Sequence, residues 1–211
     1  IWANTPRVST DAARRQRKRW SFQAGEHALV SDCKDSKYPV SVSGDDEHAL
    51  DNQFSLLTCR EFDVFKVSEL SGNRPLQFVM WRCFMFESFH EKFNIPLSSL
   101  RLLFAELESK YRRVPYHNST HAADVVQTVF MYINNGLRPH LSDLEVFAML
   151  LAAACHDVDH NGANNAFHIK TFSRVALIHN DQSPLENHHV TVAWSLLRHP
   201  DFDILAGLPN E

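Results

Sequence analysis

The stretch AAACHDVDHNGANNAF, residues 152–167, ends an apolar run with two histidines and two acids inside five positions. Upstream, SDLEVFAMLLAAACH (142–156) opens with Ser142 and Glu145 in capping-box spacing and is apolar nearly all round. That pattern predicts a central, buried helix. Burying the helix fixes its far end, and with it His156 and Asp157, inside the protein. A buried carboxylate is costly unless it is paired or bound to a cation. An imidazole beside a carboxylate at such a place is a good start on a divalent-metal site.

The same helical style runs through the neighbouring sequence. NRPLQFVMWRCFMFESFHEKF (73–93) offers Asn73 as an N-cap and Pro75 for the first turn, then Phe78, Trp81, Met85, Phe89 and Phe93 at helical spacings. PLSSLRLLFAELESKY (96–111) puts Leu100, Leu103, Phe104 and Leu107 on one face. NSTHAADVVQTVFMYINNG (118–136) starts at Asn118 or Ser119 and stops at Gly136, and SPLENHHVTVAWSLLRHP (183–200) runs between Pro184 and Pro200. No segment alternates as a strand does, and there is no repeat of solenoid length. The expected fold class is all-α, a compact multi-helix domain.

Residues 1–59 have a different character. Six basic side chains stand against one acid in the first twenty positions, which leaves a net −9 for the rest of a chain whose total is −4. The Ser-, Asp- and Lys-rich stretch that follows has no sustained period. We read 1–59 as a basic, weakly ordered tail or linker, with LTCREFDVFKVSEL (57–70) as the first ordered stretch. ARRQRKRWSFQ (13–23) has three uses besides that of a solvated linker: a kinase site at Ser21, calmodulin binding, or contact with an anionic membrane surface. Nucleic-acid binding is disfavoured, because the body is acidic and no base-reading motif is visible. Four cysteines without CxxC pairing, no signal peptide and no membrane-length apolar run point to a reducing cytoplasmic setting, with peripheral membrane contact as the variant.

Thirteen histidines matter because some of them cluster. YHNSTHAAD (116–124) holds His117 and His121 four apart, with Asp124 three beyond, so a helix starting near 118 can aim both rings at one cavity. LENHH (185–189) adds Glu186, His188 and His189. Isolated histidines such as His27, His90 or His140 read as packing or surface residues. His117, His121, His156, Asp157 and Glu186 together do not, because apolar residues would pack at less desolvation cost. The zinc-protease spacing HExxH is absent. Cys155, in an apolar helix, reads as inert.

HDVDHNGANNAF resembles the signature of class I cyclic nucleotide phosphodiesterases, a branch of the HD-type metal phosphohydrolases. It matches at His156, Asp157, His160, Gly162, Asn165 and Phe167, with Asn161 where proline is more usual. YHNSTHAADV and SPLENHHV are similar to the family's other two motifs. The resemblance implies that 60–211 is the N-terminal part of a catalytic domain that hydrolyses cAMP or cGMP to 5′-monophosphates in signal transduction. It implies a zinc ion held by His121, His156 and Asp157, and magnesium or manganese reached by Asp157. His117 would be the general acid and Glu186 would orient it or a water. His160 and Asp159 would support the ligands from behind, and Tyr116 would line the substrate pocket. The family's fourth ligand, a later aspartate, has no counterpart here, since Asp201 and Asp203 follow the Glu186 motif too closely. The alternatives are a truncated, non-catalytic regulatory module on the same scaffold, or a different HD-type phosphohydrolase.

Overall fold

The computed structural model describes residues 37–208. Among them ten α-helices follow one another and no strand forms. They are α1 (Gly44–Phe54), α2 (Val64–Leu70), α3 (Pro75–Phe86), α4 (Phe89–Lys92), α5 (Leu97–Ser109), α6 (Ser119–Tyr132), α7 (Asp143–Cys155), α8 (Asn165–Lys170), α9 (Arg174–Ile178) and α10 (Pro184–Leu197). The all-α expectation holds.

Helix α3 is buried over most of its surface and packs on both α5 and α6, while α6 packs in turn on α7. An aromatic cluster closes the middle. Phe84 meets Phe89, Phe104 and Phe147 at centroid distances of 5.2, 5.0 and 5.3 Å. Phe93 stacks on Phe89 at 5.6 Å and meets Phe147 edge-on at 5.3 Å. Edge-to-face pairs of this kind contribute roughly 0.5–1.5 kcal/mol beyond their buried area.

The helix starts follow the local sequence. Asp63 caps α2 through Phe65 and Lys66 N–H groups, and Ser142 and Glu145 form the expected reciprocal box on α7. Helix α3 is different, since Arg74 precedes it without a side-chain cap. Pro75 has no N–H to satisfy. The next two donors, Leu76 and Gln77, go to Glu108 on α5, at 3.1 and 3.2 Å. Burial raises the Glu108 carboxyl, against hydrogen bonds from Gln77, Leu76 and Ser119 that lower it. A side chain from another helix thus caps α3 and pins it to α5.

Three expectations change. The sequence predicts a tail through residue 59, but residues 37–59 join the core: Tyr38, Leu50, Phe54 and Leu57 are all buried. The Tyr38 ring stacks on Phe78 at 5.6 Å and its hydroxyl donates to Asp51 at 2.6 Å. Trp81 Nε1 donates to the Lys37 carbonyl at 3.1 Å, and Gln127 donates to the carbonyls of Leu57 and Cys59. Only two apolar positions of α1 are buried, so its order depends on partners from distant segments that periodicity cannot show. The basic segment with Ser21 lies outside the described residues. The predicted single helix over 73–93 breaks at Ser88, whose backbone is left-handed at φ 54°, and Asn73 sits at φ 60° outside the helix it was expected to cap. Helix α6 ends at Tyr132 and widens into a turn over Ile133–Leu137, with Gly136 at φ 148°.

Replacing Glu108 by Ala leaves two buried donors unpaired. We expect the unfolding free energy to fall by about 1–3 kcal/mol, read in urea melts, with Glu108→Gln losing less because one acceptor survives.

Candidate functional site

The site forms where the start of α6 meets the end of α7. Asn118 organises the first side. Its carboxamide oxygen accepts from Thr120 and His121 N–H at 3.0 and 3.2 Å, and its Nδ2 donates to the Val114 carbonyl at 3.0 Å. The loop before α6 is thereby held, and His117 and His121 flank its entry.

The end of α7 answers for the second side. Helix C-termini leave carbonyls without intrahelical partners. Here His156 Nδ1 donates to the Ala153 carbonyl at 2.8 Å, the Tyr111 hydroxyl donates to Ala154 at 2.8 Å, and Val158 N–H donates to Cys155 at 3.1 Å. The bond at Nδ1 sets the tautomer of His156, so its Nε2 carries the lone pair. That Nε2 lies 3.2 Å from His121 Nε2. Asp157 Oδ2 is 3.0 Å from His156 Nε2 and 3.4 Å from His121 Nε2.

These edges suit a cation. A tetrahedral zinc with bonds of about 2.0–2.1 Å spaces its ligand atoms by roughly 3.3 Å. His121, His156 and Asp157 therefore fit a divalent ion without rearrangement. A second group, Asp157, His160 and His189, also brings donor atoms together. Within it His189 is the better donor. Its Nδ1 donates to the Val158 carbonyl at 2.6 Å, leaving the Nε2 lone pair 3.7 Å from Asp157 Oδ1. His160 Nδ1 instead accepts from Gly162 N–H at 2.9 Å, so its Nε2 is protonated. Gly162 makes that bond from φ 88°, a conformation that a side chain would strain.

Electrostatics follow from this crowding. Burial would raise the Asp157 carboxyl, but the His156 hydrogen bond and the neighbouring imidazoles outweigh it and hold the group at about 2. Burial lowers His121, helped by repulsion from His156. Burial would lower His156 too, yet its bond to Asp157 wins and raises it. His160 and His189 are both lowered, chiefly by burial.

The remaining predicted residues fall around this centre. His117 stacks on His160 with centroids 3.9 Å apart and 20° between planes, and its Nε2 is 3.9 Å from Asp157 Oδ2. Tyr116 is exposed and its ring contacts those of His117 and His121 at 5.0 and 4.6 Å. Asp159, left-handed at φ 62°, accepts from Arg112 Nε at 2.5 Å and His188 Nε2 at 2.7 Å, tying the turn after α7 to α10 and to the loop before α6. Glu186 does not reach His117: among the described residues no hydrogen bond joins them, and its carboxylate is taken by Asn165. Asp124 is exposed on α6. His189 was not singled out from its cluster, although its place three residues after Glu186 on one helix was the available signal. The site opens on an apolar groove of about 590 Å³ between α7 and α10, lined by Leu151, Cys155, His156, Glu186, Val190 and Trp194 among others. A larger polar cavity beside Glu108 and Arg112 contains none of the candidate ligands.

Residues 116–211 match the family described as 3′5′-cyclic nucleotide phosphodiesterase. From residue 116 onward the chain is similar to this family. The match begins at Tyr116, beside the two histidines at the start of α6. The cyclic-AMP phosphodiesterase 4C of Rattus norvegicus is 43% identical over 172 residues, 81% of this chain and 32% of the relative. The dual specificity calcium/calmodulin-dependent 3′,5′-cyclic nucleotide phosphodiesterase 1C of Mus musculus is 40% identical over 154 residues, 71% of this chain and 22% of the relative. The chain thus spans about a third or less of the length of these curated phosphodiesterases. Among the described residues no helix is long and apolar enough to cross a membrane.

Removing the carboxylate at Asp159 should loosen the turn that carries the ligands. For Asp159→Ala we expect a loss of about 1–3 kcal/mol in unfolding free energy, measured in denaturant melts, and weaker zinc retention in equilibrium dialysis.

Proposed function

We propose that this chain carries part of the catalytic centre of a phosphodiesterase that hydrolyses 3′,5′-cyclic nucleotides, cAMP or cGMP, to 5′-nucleoside monophosphates. The observation that carries this reading is the meeting of His121 Nε2, His156 Nε2 and Asp157 Oδ2 within 3.0–3.4 Å, in a chain that shares this family's motifs. The donor set favours zinc for these three residues, and the Asp157 carboxylate would also offer an oxygen to a harder second cation, magnesium or manganese. Bound divalent cations supply Lewis acidity at the phosphoryl oxygens and make water a better nucleophile at neutral pH.

The residues of the chain do the rest. Asp157 stays ionised and keeps the local charge negative enough to attract cations. Burial holds His121 toward its neutral form. As the oxygen of water bonds to phosphorus and gives up a proton to solvent, the bond from phosphorus to O3′ breaks. Protonated His117 then gives its proton to O3′, so the leaving alkoxide departs as a hydroxyl. The stack on His160 holds the His117 ring in plane, and the exposed Tyr116 ring lies against His117 and His121, where it would line the substrate pocket. Among the described residues, the free thiols Cys59, Cys83 and Cys155 suit a reducing compartment, and we place the protein in the cytoplasm.

His117→Ala in the protein at its natural length should lower kcat for cyclic AMP or cyclic GMP by about 10²–10⁴-fold while zinc content stays near that of the wild type. Loss of bound metal in that variant would make His117 a ligand instead, and a well-folded wild-type protein inert toward both nucleotides with zinc and magnesium supplied would end the phosphodiesterase reading.

A further inference from the structure

Glu186 sits in the first turn of α10, and that turn is capped in an unusual way. Ser183, at the N-cap, has a left-handed backbone and makes no side-chain cap bond. Pro184 has no N–H. The Leu185 N–H therefore needs an acceptor from elsewhere, and it donates to Asn165 Oδ1 at 2.9 Å. The same carboxamide turns its Nδ2 to Glu186, donating to Oε2 at 2.9 Å and to Oε1 at 3.2 Å. Asn165 is the first residue of α8, twenty positions before Leu185 in sequence.

The orientation of this amide is fixed by its neighbours. A flip would put Oδ1 against a carboxylate and Nδ2 against a backbone N–H, two repulsive contacts in place of three attractive ones. The two halves of the side chain also do separable jobs. The oxygen completes the start of α10, while the nitrogen holds a charge. Aspartate would keep the first job and turn the second into repulsion. A serine or a local N-cap could do only the first.

We propose that Asn165 is a positioning residue whose amide nitrogen fixes the Glu186 carboxylate at the edge of the metal centre. This rests on the phosphodiesterase reading above, together with the expectation from the sequence that Glu186 orients a water there. Without the grip of Asn165, an exposed glutamate in a helical first turn would sample several rotamers and spend little time aimed at the centre.

The test is a double-mutant cycle with a charge-bearing control. Asn165→Ala and Asn165→Asp are each made in the wild type and in Glu186→Gln, and kcat and KM for cyclic AMP are measured on the protein at its natural length. We expect both Asn165 variants to lose roughly 10–100-fold in kcat, the scale of losses when a supporting partner is removed, with KM nearly unchanged. In the Glu186→Gln background the same changes should cost less than about twofold, because interacting residues are non-additive. Equal losses in both backgrounds, or an Asn165→Asp variant as active as the wild type, would mean that Asn165 only caps α10, and the proposal falls. A readout without catalysis runs in parallel: the ¹⁵N side-chain amide resonance of Asn165 should shift in Glu186→Gln, and an unmoved resonance also overturns the proposal. If the wild type hydrolyses no cyclic nucleotide, the functional reading and the catalytic half of the proposal fail together, while the resonance still decides whether Asn165 holds Glu186.

Discussion

The end of α7 is the constraint from which the rest of the site follows. A helix end leaves its last carbonyls without intrahelical partners, and side chains, turns or water must satisfy them. His156 meets one of them with its own ring, Tyr111 a second, and the turn through Val158 a third. The solution has a chemical by-product. Once Nδ1 of His156 is committed to a carbonyl, its Nε2 is a lone-pair donor with a fixed direction. That direction points at His121, and Asp157 follows in the next position of the chain. Capping chemistry and ligand chemistry are the same set of bonds.

Around that point the surrounding segments are tied to one another rather than to solvent. Asn118 steadies the loop before α6, and Asp159 joins that region, through Arg112, to His188 on α10. Asn165 links α8 to the start of α10, and His189 reaches back from α10 to Val158. Each tether crosses between segments far apart in sequence. Polar side chains of this kind cost desolvation energy, so they persist where the geometry they enforce has a use. Electrostatics agree: the carboxyl of Asp157 stays ionised despite burial because imidazoles surround it, while burial lowers His121, His160 and His189 and the bond to Asp157 raises His156.

Much of this was legible from residue order. The capping box of α7, the start of α6 at Asn118 or Ser119 and Pro184 at the head of α10 were all written in local pattern, and the structure bears them out, whereas α7 is buried on one face only, with Ala148 and Ala152 exposed. His121, His156 and Asp157 could be grouped because metal-type side chains stood at the ends of apolar helices. What could not be read was pairing across distance. Residues 37–59 look like linker because their order comes from Phe78, Trp81 and Gln127 elsewhere in the chain. Glu186 was expected to orient His117 or a water; its carboxylate accepts from Asn165, and nothing in the spacing of LENHH shows that partner. His189 hid for the same reason, since its tautomer depends on the Val158 carbonyl. The break at Ser88 reflects a left-handed residue that an unbroken apolar period conceals.

The central claim is that side chains from two helix ends share one divalent cation. The most direct measurement is a crystal structure of the zinc-loaded protein with anomalous data collected on both sides of the zinc edge. The account predicts a single strong peak bonded at about 2.0–2.2 Å to Nε2 of His121, Nε2 of His156 and Oδ2 of Asp157. A peak held by other residues, or imidazoles of His121 and His156 turned into separate cavities with no metal between them, would contradict it.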